Sequence, residues 1–261
     1  MKESVILCEG YHDRAFWGGL LEHLGCTDPG KRPGKTGRAS VLDPWGDPVV
    51  RGHFGYRSKS DRFVRIFHCG GKRNVLREAQ NRLREEGNRV RQRASLGRLA
   101  RLVITVDPDV NADGSGVETG FRQQDLRSLV SEFDSSATEN TEGDILLFGG
   151  ATAVSLVRWE ASDPPGPGLP NQQTLERLVC AAVLAAYPDR GAAVQSWLDS
   201  RPKGPEAGPK EFAWSHMAGW YAEHACEAFY RAVWNDAQVA GELETRLRQS
   251  GAWRVAEALA E

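Results

Sequence analysis

Three carboxylates stand where an apolar run gives way to a turn. Glu9 closes Val5-Ile6-Leu7-Cys8 and precedes Gly10, while Asp107 and Asp109, separated by Pro108, close Leu102-Val103-Ile104-Thr105-Val106. A hard divalent cation such as Mg2+ takes oxygen ligands, usually one or two carboxylates, with water and substrate phosphate oxygens completing the shell. An ion held in this way activates water and stabilises charge building on a phosphate. The chemistry suggested is hydrolysis that depends on Mg2+ or Mn2+, with Asp107 and Asp109 holding the metal and Glu9 serving as a further ligand or as general base. Asp13, four residues beyond Glu9, either extends the cluster or caps the helix that follows.

Elements of the right kind surround these residues. Residues 4–8 read as a short buried strand, and an amphipathic segment from about Asp13 to Leu24 carries Phe16, Leu20, Leu21 and Leu24 on one stripe. Residues 25–62, rich in Gly, Pro, Lys and Arg, read as a long loop with one hairpin strand around Val49 to Tyr56. Residues 63–67 alternate as a strand, Cys69-Gly70-Gly71 turns the chain, and Asn74 caps a helix running from Val75 to about Leu99. Residues 102–106 form a fully buried strand. Strands alternating with helices predict an α/β fold with a mainly parallel sheet flanked by helices, whose ligand sites lie at the carboxyl ends of the strands. Further on come a helix at 123–133, strands at 144–148 and 153–159, and the Pro/Gly-rich stretch Asp163 to Pro170, which marks a boundary. The organisation predicted is an α/β domain over residues 1–162, with a basic loop insertion at about 26–62, and a helical C-terminal region over 171–261 packed on it. The helices of that region are expected at 174–186, 214–234 and 237–261.

The stretch Val5 to Asp13 with its helix, and then Val103 to Asp109 about a hundred residues later, resembles the Toprim signature of a strand-end Glu-Gly and a strand-end Asp-x-Asp. Toprim domains occur in topoisomerases, bacterial primases and nucleases of the overcoming-lysogenization-defect family. The Glu9-to-Asp13 spacing, Thr105 two residues before the first Asp, and the Gly70-Gly71-Lys72 turn are most similar to that last family and to related stand-alone Toprim proteins. The resemblance implies a Toprim-like sheet, metal on Glu9, Asp107 and Asp109, and a later Glu and Lys completing a two-metal site. Leu175-Glu176 is similar to the later Leu-Glu, making Glu176 the second-metal candidate, and Lys210 stands for the later Lys. Lys72 or Lys210 would then neutralise phosphate charge. It further implies nucleic-acid substrates, DNA foremost, in DNA processing or antiphage defence, beside a separate ATPase. The third acidic position of the fuller motif is Asn111, and no ATPase segment, active-site tyrosine motif or zinc ribbon accompanies the signature, which argues against a complete topoisomerase or primase.

Composition narrows the partners. The net charge of -2 conceals an asymmetry: residues 31–101 carry 19 basic and 6 acidic side chains, while residues 102–261 carry 12 and 24. The basic stretch suits a polyanion. A solvated helix face accounts for it equally, since Arg77, Arg82, Arg84, Arg89, Arg91 and Arg93 fall in one predicted helix. Five scattered cysteines without a C-x-x-C pair encode neither a disulfide framework nor a zinc site. No apolar run approaches the roughly 20 residues of a membrane span, and no signal peptide opens the chain, so the expectation is a cytoplasmic protein.

Rival motifs fail on spacing. Asp109 to Gly114 imitates a calcium loop, but its twelfth position is Gly120 and Glu118 falls two residues early. Gly30-Lys-Arg-Pro-Gly34-Lys35-Thr36 imitates a P-loop with one residue too few between the glycines. Ser155, Ser196, His216 and His224 lack the setting of a hydrolase, and the aromatic residues around Trp214 and Trp220 read as helix packing or a partner interface. A different class of function stays open: a catalytically silent Toprim scaffold that binds nucleic acid or a partner ATPase.

Overall fold

The strand β1 (Glu3–Cys8) is buried along its whole length, with Val5, Ile6 and Leu7 wholly inaccessible, because it lies in the middle of a sheet. The computed structural model describes residues 2–28, 42–46, 54–116, 120–201 and 207–261. It divides into two compact units, one comprising Met1–Val106, Phe121–Val157 and Arg254–Glu261, the other Asp107–Gly120 and Arg158–Trp253. The imitation P-loop at 30–36 and the start of the expected hairpin strand lie outside the described residues.

The first unit is built on a seven-stranded sheet. Its other strands are β2 (Phe54–Arg57), β3 (Phe63–His68), β4 (Leu99–Val106), β5 (Thr138–Glu139), β6 (Ile145–Leu147) and β7 (Thr152–Arg158), in the order β2-β3-β1-β4-β7-β6-β5. β1 pairs in parallel with both β3 and β4, whereas β2 joins β3, and β6 joins β5 and β7, antiparallel. Parallel strands covered on both faces must be apolar almost throughout, which is why β1 and β4 read as continuous runs rather than alternating ones.

Helices cover both faces. From α2 (Lys72–Gln92) come Val75, Ala79 and Leu83, and from α3 (Gln123–Ser131) come Leu126, Leu129 and Val130; these pack with Val5, Leu7, Leu102, Ile104 and Val106. On the opposite face, Trp17 Nε1 of α1 (Tyr11–His23) donates a buried hydrogen bond of 3.1 Å to Thr105 Oγ1, whose neighbours Ile104 and Val106 point the other way. Right-handed crossovers require this arrangement: the chain moves from β1 outward to β3 past α1, then back across β1 to β4 past α2, so the two helices fall on opposite faces. Helix α2 begins two residues before Asn74 and stops at Gln92, short of the expected Leu99; the Asn74 amide donates to the Cys69 and Gly70 carbonyls rather than capping.

The second unit is helical: α4 (Leu175–Ala186), α5 (Arg190–Asp199), α6 (Pro209–His216), α7 (Cys226–Asn235) and α8 (Ala237–Gln249). Helix α4 is buried from Leu175 to Val183, Glu176 and Arg177 included, and packs against α6 and α8. The buried Arg177 guanidinium donates to the Pro170 and Asp163 carbonyls, and the Asp163 carboxylate in turn receives Arg246 of α8. Two expectations are corrected here. The helix expected over 214–234 is broken by a π-helical turn at Met217–Tyr221 and by Ala222, whose φ of 52° is left-handed. The helix expected over 237–261 breaks at Gly251, with φ 77°, before α9 (Ala252–Ala260). Helix α5 was not foreseen at all.

The end of α9 belongs to the first unit. Arg254 ion-pairs with Asp144 at 2.9 Å and Glu142 at 3.0 Å, while Arg101 and Ser155 also bond Asp144. Backbone amides of Lys59 and Ser60 donate to the carbonyls of Ala260 and Glu261. Burial alone would raise the Asp144 carboxyl, but hydrogen bonds from Arg254, Arg101 and Ser155 outweigh it and hold the group at about 2. A carboxyl lowered in the folded state contributes stability above its unfolded value near 4, lost as pH falls toward 2, on the order of 2 kcal/mol here. Chemical denaturation of the wild type between pH 5 and 2 should show this loss, and Asp144→Asn should lack that portion of the pH dependence while being less stable at pH 7.

Candidate functional site

The carboxyl edge of the central strands gathers several of the residues singled out above. Glu9 directly follows β1, and its carbonyl accepts from Gly71 N at 2.8 Å, tying the end of β1 to the start of α2. Gly71 has φ 118°, a conformation that L side chains rarely adopt, so the turn into α2 depends on glycine. That turn delivers Lys72 as the first helical residue, with its Nζ 3.9 Å from Glu9 Oε1 and both side chains 18% exposed. Asp13 Oδ2 accepts from Gly10 N at 3.0 Å, so this carboxylate caps α1. Two residues that the sequence reading missed stand at the same edge. Arg14, in the first turn of α1, approaches His68 Nδ1 at 3.4 Å and lies over the Phe54 ring at 4.3 Å. The signal for Arg14 was its position one helical turn beyond Gly10.

Asp107 follows Val106, the last residue of β4, without an intervening residue, and belongs to the second unit. Asp109 adopts φ 59°, a left-handed conformation that Asp tolerates better than most residues. From this bend the chain runs antiparallel to residues 171–173: Asp109 N donates to Gln173 O at 3.3 Å, Gln173 N to Val110 O at 2.8 Å, and Ala112 N to Asn171 O at 2.8 Å. The Gln173 side chain is clamped on both the amide and the carbonyl of Ala161. This pairing leads into α4, whose N-cap is Thr174 and whose first amide, Leu175 N, donates to Asp107 Oδ1 at 3.0 Å. Asp107 therefore sits at the positive end of the α4 dipole. Glu176, buried in the first turn of the same helix, is brought to the segment holding Asp107 and Asp109. Lys210 is exposed near the start of α6.

Within the second unit, the carboxylate oxygens of Asp107, Asp109 and Glu176 are donors that suit a hard cation rather than a soft one. Among the described residues no three His, Cys, Asp or Glu side chains form a ready-made cage. An ion held by one or two of these carboxylates would draw the remainder of its shell from water and phosphate, the usual manner of Mg2+.

The residues set aside in the sequence have ordinary structural roles. Ser155 is consumed by the Asp144 network, and Ser196 and His224 are exposed. His216 is buried and bonds the Gly168 carbonyl at 3.2 Å; desolvation first, aided by Arg190, lowers it to about 4, so it is neutral at physiological pH. In the second unit, Trp197, Trp214 and Trp220 remain 63%, 44% and 40% exposed and line an apolar groove of about 520 Å³ on α5, α6 and the π-helical turn. The aromatic density around Trp214 was legible, but Trp197 was not, because no helix was foreseen at 190–199.

No family model and no curated protein matches this chain. It is similar to the crystal structure of a hypothetical protein from Pyrococcus horikoshii OT3, with a TM-score of 0.68 and 17% identity over the whole of both chains. At that identity the likeness establishes an α/β fold and nothing about activity. The Asp107 cap makes its own prediction: Asp107→Ala should cost about 1 kcal/mol in thermal or denaturant unfolding, whereas Asp107→Asn, which keeps the acceptor oxygen, should cost clearly less.

Proposed function

We propose that this chain is a Mg2+- or Mn2+-dependent phosphodiester hydrolase acting on nucleic acid, DNA foremost, in the manner of the Toprim nucleases it resembles. The observation that supports the reading best is that β1 and β4, adjacent and parallel at the centre of the sheet, run directly into Glu9 and into Asp107-Pro108-Asp109 at their carboxyl ends. Asp107 and Asp109 would hold the ion, with Glu176 available to a second one. A bound ion supplies activated water and charge neutralisation on the phosphate. Glu9 joins the ligands or takes the proton of the attacking water, and Lys72, beside Glu9, meets the phosphate, with Lys210 the other candidate for that role. Five free thiols agree with the reducing cytoplasm, and the resemblance suggests DNA processing or antiphage defence beside a separate ATPase. The exposed tryptophan groove favours a second reading, a catalytically silent scaffold that docks a partner protein.

Because Asp107 also caps α4, the discriminating variants are Glu9→Gln and Asp109→Asn. Purified full-length protein incubated with supercoiled plasmid, single-stranded DNA or RNA, in Mg2+, Mn2+ or EDTA, should cut only with metal. Each variant should lose at least about a hundredfold in rate, the scale of a positioned proton-transfer or charge-stabilising group. Undiminished cutting by both variants would sink the assignment, and no cutting by any protein would favour the scaffold.

A further inference from the structure

Helix α2 sorts its arginines into two sets. Arg82 pairs with Glu78 at 2.8 Å, and Arg89 with Glu85 at 3.5 Å and Glu86 at 3.8 Å, so these charges are used within the helix. Arg73, Arg77, Arg84 and Arg91 are exposed, and among the described residues none of the four has a carboxylate within ion-pair distance. Arg84 reaches only the Asn81 amide oxygen, at 3.3 Å, and the charge of Arg91 is felt by Asp134 without closing a pair. At about 100° per residue, the four positions fall within an arc of roughly 40° and along roughly 27 Å of helix. Gln80 and Asn88 lie on the same strip, which carries no acidic and no aromatic side chain.

This row costs the isolated protein stability. Like charges at i and i+4, as in Arg73 and Arg77, repel. Lys72 and Arg73 crowd the N-terminal turn of α2, which has no acidic residue and already bears the positive end of the helix dipole. A polyanion laid along the strip would relieve both costs. We infer that the Arg73-Arg77-Arg84-Arg91 row is a binding track for the phosphate backbone of double-stranded DNA; as the substrate track of the site beside Lys72 and Glu9, it rests on the hydrolase reading above. A straight row of about 27 Å matches some eight base pairs of a stiff duplex. Proteins that grip single strands interleave aromatic side chains for base stacking, and this row has none. With charges and amides alone, the track holds backbone without reading sequence.

The test is fluorescence anisotropy with the full chain in EDTA, using a labelled 24-base-pair mixed-sequence DNA duplex and a single strand of the same length, over a range of salt concentrations. Arg73→Gln, Arg77→Gln, Arg84→Gln and Arg91→Gln together should weaken duplex binding at least tenfold and lower the slope of log affinity against log salt by about 3.6, given about 0.9 per phosphate contact. The paired arginines serve as control: Arg82→Gln with Arg89→Gln should change either quantity far less. All the residues altered in the quadruple variant are exposed, and a thermal midpoint no lower than that of the wild type should confirm its fold. An unchanged affinity and slope in the quadruple variant would overturn the track, as would absence of duplex binding by the wild type or tighter binding of the single strand. Metal-dependent cleavage measured in parallel separates the two proposals. Cutting with an unaltered quadruple-variant affinity rejects the track and leaves the hydrolase, while loss of binding by that variant in a protein that never cuts upholds the track and rejects the hydrolase.

Discussion

Burial of β1 and β4 on both faces is the constraint from which the remainder of the first unit follows. A strand with helices above and below cannot carry an uncompensated charge along its length, because desolvating it costs far more than any contact there returns. Charged groups are therefore displaced to the strand ends, and a parallel pair delivers its carboxyl ends to one edge. Where a charge does enter the sheet it is matched: Arg65 of β3 is held between Glu3 at 3.1 Å and Asp43 at 2.8 Å, and Asp144 between Arg101 and Arg254. Breaking one partner of such a set leaves a buried charge unpaired, which is strongly destabilising.

The sheet's centre was legible for the same reason. Continuous apolar runs at 4–8 and 102–106 can only be buried strands in this context, and the turns after them can only be strand ends. The acidic motif was read directly from those ends. What remained hidden depended on partners distant in sequence. Nothing in Asp107-Pro108-Asp109 announces that Asp107 will cap a helix beginning at Leu175, or that Asp109 will bend the chain onto residues 171–173. For Asp13 the sequence offered ligand and cap alike, and the Gly10 amide takes its Oδ2.

Helical boundaries failed where local signals were weak or conflicting. An apolar and aromatic pattern runs through Trp214 to Trp234, yet the chain leaves the α-helix at Met217 for a π-helical turn that contains Gly219 and ends at the left-handed Ala222. Gly251 was a legible stop that was passed over. The arginines of α2 could be counted but not sorted, since Arg82 and Arg89 differ from Arg77 and Arg84 only in which of them face Glu78, Glu85 and Glu86.

The return of Arg254–Glu261 to the first unit gives that unit a temporal character. Its sheet is laid down early in synthesis, yet Arg254, one of the partners of Asp144, and the carbonyls that receive Lys59 and Ser60 are made only after the whole helical unit between them. A chain emerging from the ribosome must hold an incomplete sheet while some hundred intervening residues are added, and helices form and pack faster than such non-local closure. The sheet is therefore completed only when the residues that follow the helical unit reach it.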